Sequence, residues 1–354
     1  MRHARIAWSV VIGAAFAAHD AALAQSADPS SGSKWDVEVH AGVSAPRNPE
    51  SGSGSLPATG ALVQSELSAS TFYLGDGARL FNENQRVISG TQSAPVIVPL
   101  DAVLLNAMIT RETGSAFGVR LQRDIKRRFA VQVDGDLSLD HLAFTPAALT
   151  AIETARASYI PALQRALSAS PLTSSVTSVA TVSDHRFAPQ VFAAGAFVLK
   201  LRTSGRTIPY LTGGGGVVLN GGTSPSATLV GNYTLDQPAQ LLGTDNVLIT
   251  YDEKSMSGLG LGGGGFTHHL NAKWGVRVEA REYLYRNSGT NAVNITPTLG
   301  FQSTGRPVPV VNVGTLKFAA TAPLNGQPLS TSTTFTGSGR QAHLIVSAGL
   351  LVRF

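Results

Sequence analysis

Cysteine is absent from this 354-residue chain. That excludes disulfides, thiolate metal sites and cysteine catalysis. Charge is also scarce: only 14% of residues are Asp, Glu, Lys or Arg, while glycine reaches 37 and proline 18. So little charge with so much glycine argues against a helical enzyme. Long apolar runs are missing too. Beyond the N-terminus no uninterrupted stretch reaches the ~18–20 residues of a membrane helix, although 43% of the chain is hydrophobic. If such a chain enters a membrane, it must do so as a closed barrel, because only helices and closed barrels satisfy every backbone polar group in lipid. The formal charge of +5 is spread along the chain. No basic run with interleaved aromatics occurs, so nucleic acid is not an expected partner.

Residues 1–24 have the layout of a secretory signal peptide. Arg2 and Arg5 supply the positive start, Ile6–Ala18 the apolar stretch and Ala22-Leu23-Ala24 the small-residue cleavage pattern. Residues 25–34 are read as a disordered leader, and 35–354 as one domain.

That domain alternates. In Trp35–Val43 the positions Trp35, Val37, Val39, Ala41 and Val43 share one face, with Asp36, Glu38, His40 and Gly42 on the other. A period of two indicates a strand. The same pattern predicts strands over Ala116–Gln122, Phe129–Asp140, Phe187–Leu201, Thr207–Asn220, Val247–Phe266, Trp274–Tyr285 and Gln341–Phe354. Ile345 and Leu351 break the alternation in the last of these. One helix is predicted, over Pro146–Leu167, capped by Thr145 and with Pro146 in its first turn. Its apolar stripe should fold back on the aromatic-rich segment Phe72–Asn82. Residues 221–246 read as a polar loop.

The connections between these strands alternate in length. Residues 44–113, 141–186, 221–246 and 286–340 are long; 123–128, 202–206 and 267–273 are short. Membrane barrels have short turns at the periplasmic end and longer external loops. The final strand, closed by Phe354, resembles the closing strand of bacterial outer-membrane β-barrels. With the layout of the mature chain, it resembles the eight-stranded OmpA-like and opacity-protein-like barrels. The resemblance implies an all-β fold, an eight-stranded antiparallel up-and-down transmembrane β-barrel with long external loops, one carrying a helix. It also implies a bacterial outer-membrane location, contact with outer-membrane lipid, and recognition of Phe354 by the barrel assembly machinery.

Charges on the polar faces would cost roughly 2–4 kcal/mol each if an Arg or Lys faced mid-bilayer lipid. Asp36, Glu38, Arg120, Asp134, Asp136, Arg277, Glu279, Arg281 and Arg353 are therefore expected inside the barrel, paired with one another. Arg353 should meet Asp36 or Glu38 at the seam, and Arg120 should meet Asp134 across its hairpin. Trp35, Phe129, Tyr210, Phe266, Trp274 and Phe354 fall at one end and should form the periplasmic aromatic girdle. The glycine runs Gly213–Gly216 and Gly262–Gly265 should permit sharp wall curvature and leave room for Arg277 and Arg281.

Function is expected to reside in the long loops over a rigid frame: a structural or surface-interaction scaffold meeting an extracellular ligand or partner. A small porin-like channel is the alternative, and an outer-membrane lipid-modifying enzyme a third reading. His141 and His185, beside Asp140 and Asp184, are the constellation for catalysis, but loop polarity explains them more simply, and no enzyme activity is expected. The GLGLGG segment at Gly258–Gly263 matches a dinucleotide-binding pattern, but no βαβ unit follows it. No cofactor or metal is expected.

Overall fold

A computed structural model describes residues 35–47, 67–69, 71–74, 78–79, 81–82, 95–100, 108–167, 173–236, 240–295, 298–302, 316–318 and 332–354. The signal-peptide and leader segments lie outside them.

Eight antiparallel strands close on themselves in chain order. They are β1 (Trp35–Arg47), β2 (Gly114–Lys126), β3 (Phe129–Leu139), β5 (Gln190–Lys200), β6 (Thr207–Asn220), β9 (Met256–His269), β10 (Trp274–Ile295) and β11 (Ser332–Arg353). β4 (Thr173–Ser183), β7 (Ser226–Asp236) and β8 (Gln240–Glu253), with the short strand Thr298–Gln302 that pairs β8, complete the main sheet. The ring is sealed where β1 pairs β11, with Asp36 opposite Arg353 and Val43 opposite Val346. The predicted barrel is thus the observed one, an up-and-down meander in which each barrel strand pairs with its chain neighbours. The helix, α1 (Pro146–Leu167), has the predicted bounds. Thr145 Oγ1 accepts the Ala148 N–H at 3.2 Å, as a capping residue does.

The wall does not stop at the barrel rim. β10 and β11 each run for 22 residues, roughly 70 Å at ~3.3 Å per residue, whereas a membrane crossing takes about 9–11 residues. Their upper halves stay paired, Gly289 opposite Gly337 and Asn294 opposite Ser332. β8 adds to β10, β7 to β8 and β4 to β7. One side of the wall therefore rises above the barrel as a sheet, here called the hood.

The sequence reading is corrected on this point. Residues 221–246 are mostly strand, residues 141–186 hold β4 as well as the helix, and the strand predicted over Val247–Phe266 is two strands, β8 and β9. In chain direction β7 continues β6, β5 continues β4 and β9 continues β8. All three wall strands break at one level. Gly222 adopts φ 97 there and His185 φ 50. A Cβ on Gly222 would strike the Phe187 carbonyl, so this position requires glycine.

The hood has its own apolar core. α1 lays Ile152, Tyr159 and Leu163 against Val176 of β4, Leu229 and Tyr233 of β7, and Val247 and Ile249 of β8. Phe72, Tyr73, Phe81, Ile97 and Leu100 from the first long connection join them. Tyr73 stacks on Tyr159 at 4.6 Å, so the helix packs on the aromatic segment as its stripe predicts. Small paired segments at 109–111, 141–144 and 186–187 form a separate three-stranded sheet.

Below the break, the glycine runs serve two different faces. Cβ atoms on Gly214 or Gly216 would enter the backbone of β5, and on Gly263 or Gly265 the backbone of β10, so close approach is what these positions need. At Gly258, Gly260 and Gly262 a Cβ would meet nothing. Gly216→Val is therefore expected to destabilise the folded barrel by about 1–3 kcal/mol through overpacking. Gly260→Val should be neutral or stabilising, β-branched residues being favoured on a strand. Urea midpoints for folding into detergent micelles would distinguish them; equal effects would refute the assignment.

Candidate functional site

The barrel interior is a continuous ionic network. Glu38 of β1 receives Arg120 of β2 at 2.9 Å and Arg277 of β10 at 2.9 Å. Arg120 also reaches Glu279 at 2.7 Å. Glu279 is shared with Arg281 at 2.7 Å, and Arg281 continues to Asp134 of β3 at 2.5 Å. His40 Nε2 lies 2.5 Å from Asp136 Oδ1, and the Tyr283 hydroxyl donates to the other oxygen of the same carboxylate. Gln122 and Thr267 accept from Arg277 at 3.0 and 3.2 Å. These ionic side chains are all buried. At the rim Arg353 holds Asp36 at 2.8 Å.

Every charge assigned to the interior from sequence thus points inward, Arg353 remaining partly exposed. Arg353 meets Asp36 as expected. The expected Arg120–Asp134 pair is corrected: the two are opposite in register, yet Arg120 bonds Glu38 and Glu279 across the lumen while Asp134 takes Arg281. Side chains this long bridge the barrel, so strand neighbours are not preferred over facing strands. Tyr210 is corrected as well. It points inward, is 3% exposed, and donates to Glu279 at 2.9 Å, so it is not on the outer aromatic belt. Phe129, Phe266, Trp274 and Phe354 are exposed. Trp35 lies on the outer face under the Arg123 guanidinium, 5.2 Å from its ring centre.

Nearer the break is a cluster that sequence reasoning missed. Ser44 Oγ donates to Asp140 at 2.9 Å and lies 2.5 Å from His343 Nε2. These are the residue types of a nucleophilic triad, from β1, β11 and the residue just past β3, far apart in sequence, and only barrel closure unites them. The arrangement is not a triad. In a triad the imidazole bridges serine and carboxylate through opposite nitrogens; here the serine bridges, and both partners face Nε2. Among the described residues His343 Nδ1 has no hydrogen-bond partner, and all three residues are fully buried. The histidines singled out from sequence do not converge either. His141 packs edge-on against Phe187 at 5.6 Å, and His185 lies on the surface beside Glu112 at 3.1 Å, which holds its imidazolium in the charged form to higher pH.

Above the network, Arg111 pairs Glu253 of β8 at 2.7 Å and donates to the Ala188 carbonyl, clamping the returning end of the first connection into the barrel mouth. Higher still, in the hood, Asp245 of β8 is fully buried. Its Oδ2 accepts the Phe72 N–H at 2.8 Å, and Thr71 also bonds the carboxyl. Tyr73, Tyr159 and Tyr233 surround it, each with its hydroxyl pKa raised by burial. Arg156 is turned to Glu153 and to the Ser178 carbonyl. Burial pushes the Asp245 carboxyl up to about 7.

No family model matches the chain, and no curated protein matches it. Among solved structures it is similar to the outer membrane protein OprG from Pseudomonas aeruginosa, at 10% identity over 92% of this chain and 99% of that one, with a TM-score of 0.36. It is also similar to the outer membrane protease OmpT from Escherichia coli, at 10% identity over 91% and 97%, TM-score 0.26. The P. putida toluene transporter TodX follows at 10% identity over 92% and 90%, TM-score 0.17. Likeness at this level carries no functional argument, and the fold rests on the strand register itself.

Two outcomes follow from this geometry. Arg281→Met leaves Asp134 and Glu279 without their shared cation and should cost about 3–5 kcal/mol, as for one partner removed from a buried pair. Adding Asp134→Asn should recover part of that loss in urea titrations of the micelle-folded protein. For Asp245, the docked hood holds a proton that the opened hood releases, because the folded value lies above the ordinary 3.8. Hood stability is therefore greatest below the ordinary value, falls as pH rises from 3.8 towards about 7, and is flat above. Amide exchange at Phe72 and Tyr73, corrected for intrinsic rates, should accelerate across that window in the wild type and not in Asp245→Asn.

Proposed function

We propose that this chain is a bacterial outer-membrane β-barrel serving as a sealed scaffold, whose packed external hood meets surface partners. The observation that carries this reading is the segregation of side chains across the wall. Outside, Phe197 is 73% exposed, Val133 65% and Val39 64%, while on the strands of Val133 and Val39 the alternate positions bury ion pairs. In water that arrangement is inverted; in hydrocarbon it is what an eight-stranded barrel requires, since such an interior is just wide enough to be filled by its own side chains. Exposed Phe129, Phe266, Trp274 and Phe354 lie together at the short-turn end, consistent with an interfacial girdle. Phe354, at the end of the closing strand, is the residue offered to the assembly machinery.

A conducting pore is the weaker alternative. The lumen is crossed by Glu38, Arg120, Arg277, Glu279 and Arg281 in mutual contact, and the mouth is closed by Arg111 and the hood. Hydrolytic chemistry at Ser44 is disfavoured by its geometry and burial. The hood, held by its own core, suits binding through a rigid surface more than through free loops.

Reconstituted in planar bilayers, the protein is expected to give no stepwise conductance; regular open-channel steps would favour the porin reading. On intact cells, protease is expected to cut only within residues 44–113, 141–186, 221–246 and 286–340. Cleavage inside 123–128, 202–206 or 267–273 would overturn the orientation.

A further inference from the structure

The short-turn end of the barrel carries a charge pattern that the scaffold reading does not use. The turn between β2 and β3 presents Lys126, Arg127 and Arg128, that between β5 and β6 presents Arg202 and Arg206, and that between β9 and β10 presents Lys273, all exposed. The acidic groups at this end are already taken: Asp36 by Arg353 at 2.8 Å and Asp124 by Lys200 at 2.6 Å. Among the described residues no ion pair engages those turn cations.

A second feature of the same turns is independent of charge. Each exposes one bulky aliphatic side chain: Ile125 at 58%, Leu201 at 52% and Leu270 at 55%. The rings of Phe129, Phe266, Trp274 and Phe354 are exposed at the same end. A soluble polyanion would be met by cations alone. A lipid interface is met by cations whose neighbours are apolar, since the aliphatic groups enter the acyl boundary while the charged heads stay among phosphates. The three turns are distributed around one rim, so the pattern forms a collar and not a pocket. At the long-connection end Arg156 is paired with Glu153, Arg111 with Glu253 and His185 with Glu112, while Arg186 and Lys254 are exposed.

We propose that the short-turn rim is a collar for anionic phospholipid headgroups, binding the phosphates of the leaflet it faces through Lys126, Arg127, Arg128, Arg202, Arg206 and Lys273, with Ile125, Leu201 and Leu270 seated at the acyl boundary. This rests on the membrane-barrel reading. The collar anchors the barrel at a fixed depth and draws acidic lipid around it. Selection is by charge and not by headgroup shape, because no turn folds a cavity around an anion.

The test is lipid selectivity in phosphatidylcholine vesicles holding the full chain, using spin-labelled phosphatidylglycerol and phosphatidylcholine as probes of the motionally restricted shell. Wild type should favour phosphatidylglycerol by roughly fivefold or more, the factor a single surface cation supplies against an anionic leaflet, and the preference should shrink in high salt. A variant carrying Lys126→Gln, Arg127→Gln, Arg128→Gln, Arg202→Gln, Arg206→Gln and Lys273→Gln should insert equally well and show no preference. Insertion of wild type without a preference, or a preference that the variant retains, overturns the proposal. So does abolition of the preference by excess inorganic phosphate at constant ionic strength, which would mark a free-phosphate site. Co-sedimentation with peptidoglycan sacculi in place of lipid selectivity would assign the rim to the wall polymer and overturn it too. Failure to insert into vesicles of any composition would refute the membrane-barrel reading itself, and the collar with it.

Discussion

The cost of an unpaired charge in a medium of low dielectric governs this molecule. Glu38, Arg120, Asp134, Arg277, Glu279 and Arg281 cannot face hydrocarbon, and they cannot be enclosed singly. Enclosed together they form alternating cation–anion chains in which each carboxylate meets a guanidinium at about hydrogen-bond distance. A buried pair of this kind need not add net stability against an apolar core, but breaking one is expensive. The network therefore acts less as glue than as a condition on closure. Strands β1, β2, β3 and β10 must all be in register before any of these charges is satisfied.

The same condition explains the wall opposite the network. Where Arg277 and Arg281 project inward, β9 offers Gly263 and Gly265, and β6 offers Gly214 and Gly216. Their missing side chains let neighbouring backbones approach. The glycines at Gly258, Gly260 and Gly262 face outward with nothing near, and curvature does not explain them. On β9, Leu259 and Leu261 point into the barrel instead, packing with Phe192, Tyr283 and Ile345. The upper lumen thus carries an apolar side beside the buried polar groups Ser44, Asp140 and His343 before the hood begins.

The hood shows how extended membrane strands can supply a domain without a separate chain segment. Sheet, helix and aromatic connection enclose one core, with Tyr73 and Tyr159 stacked at its centre and the buried Asp245 carboxyl receiving the first connection. Burial opposes the ionisation of that carboxyl, and its donors are the neutral Phe72 N–H and Thr71 hydroxyl.

How much of this was legible beforehand follows from the range of each interaction. Alternation reports which face a residue occupies, because side-chain direction in a strand is set locally by the pleat; the barrel, its short turns, α1 and the inward charges could all be read that way. Charge pairing across the lumen could not, because Arg120 chooses Glu279 over Asp134 by reach across space. Tyr210 was misassigned for a related reason: it sits among charges that only closure brings near. Ser44, Asp140 and His343 meet solely through the seam. The hood strands β4 and β7 and the first half of β8 are rich in Ser, Thr, Asn and Gly and pass for loops until β10 extends beyond the rim and pairs with β8. Direction was local and belonged to the sequence; partnership required the closed wall, because a barrel brings together residues that the chain itself keeps far apart.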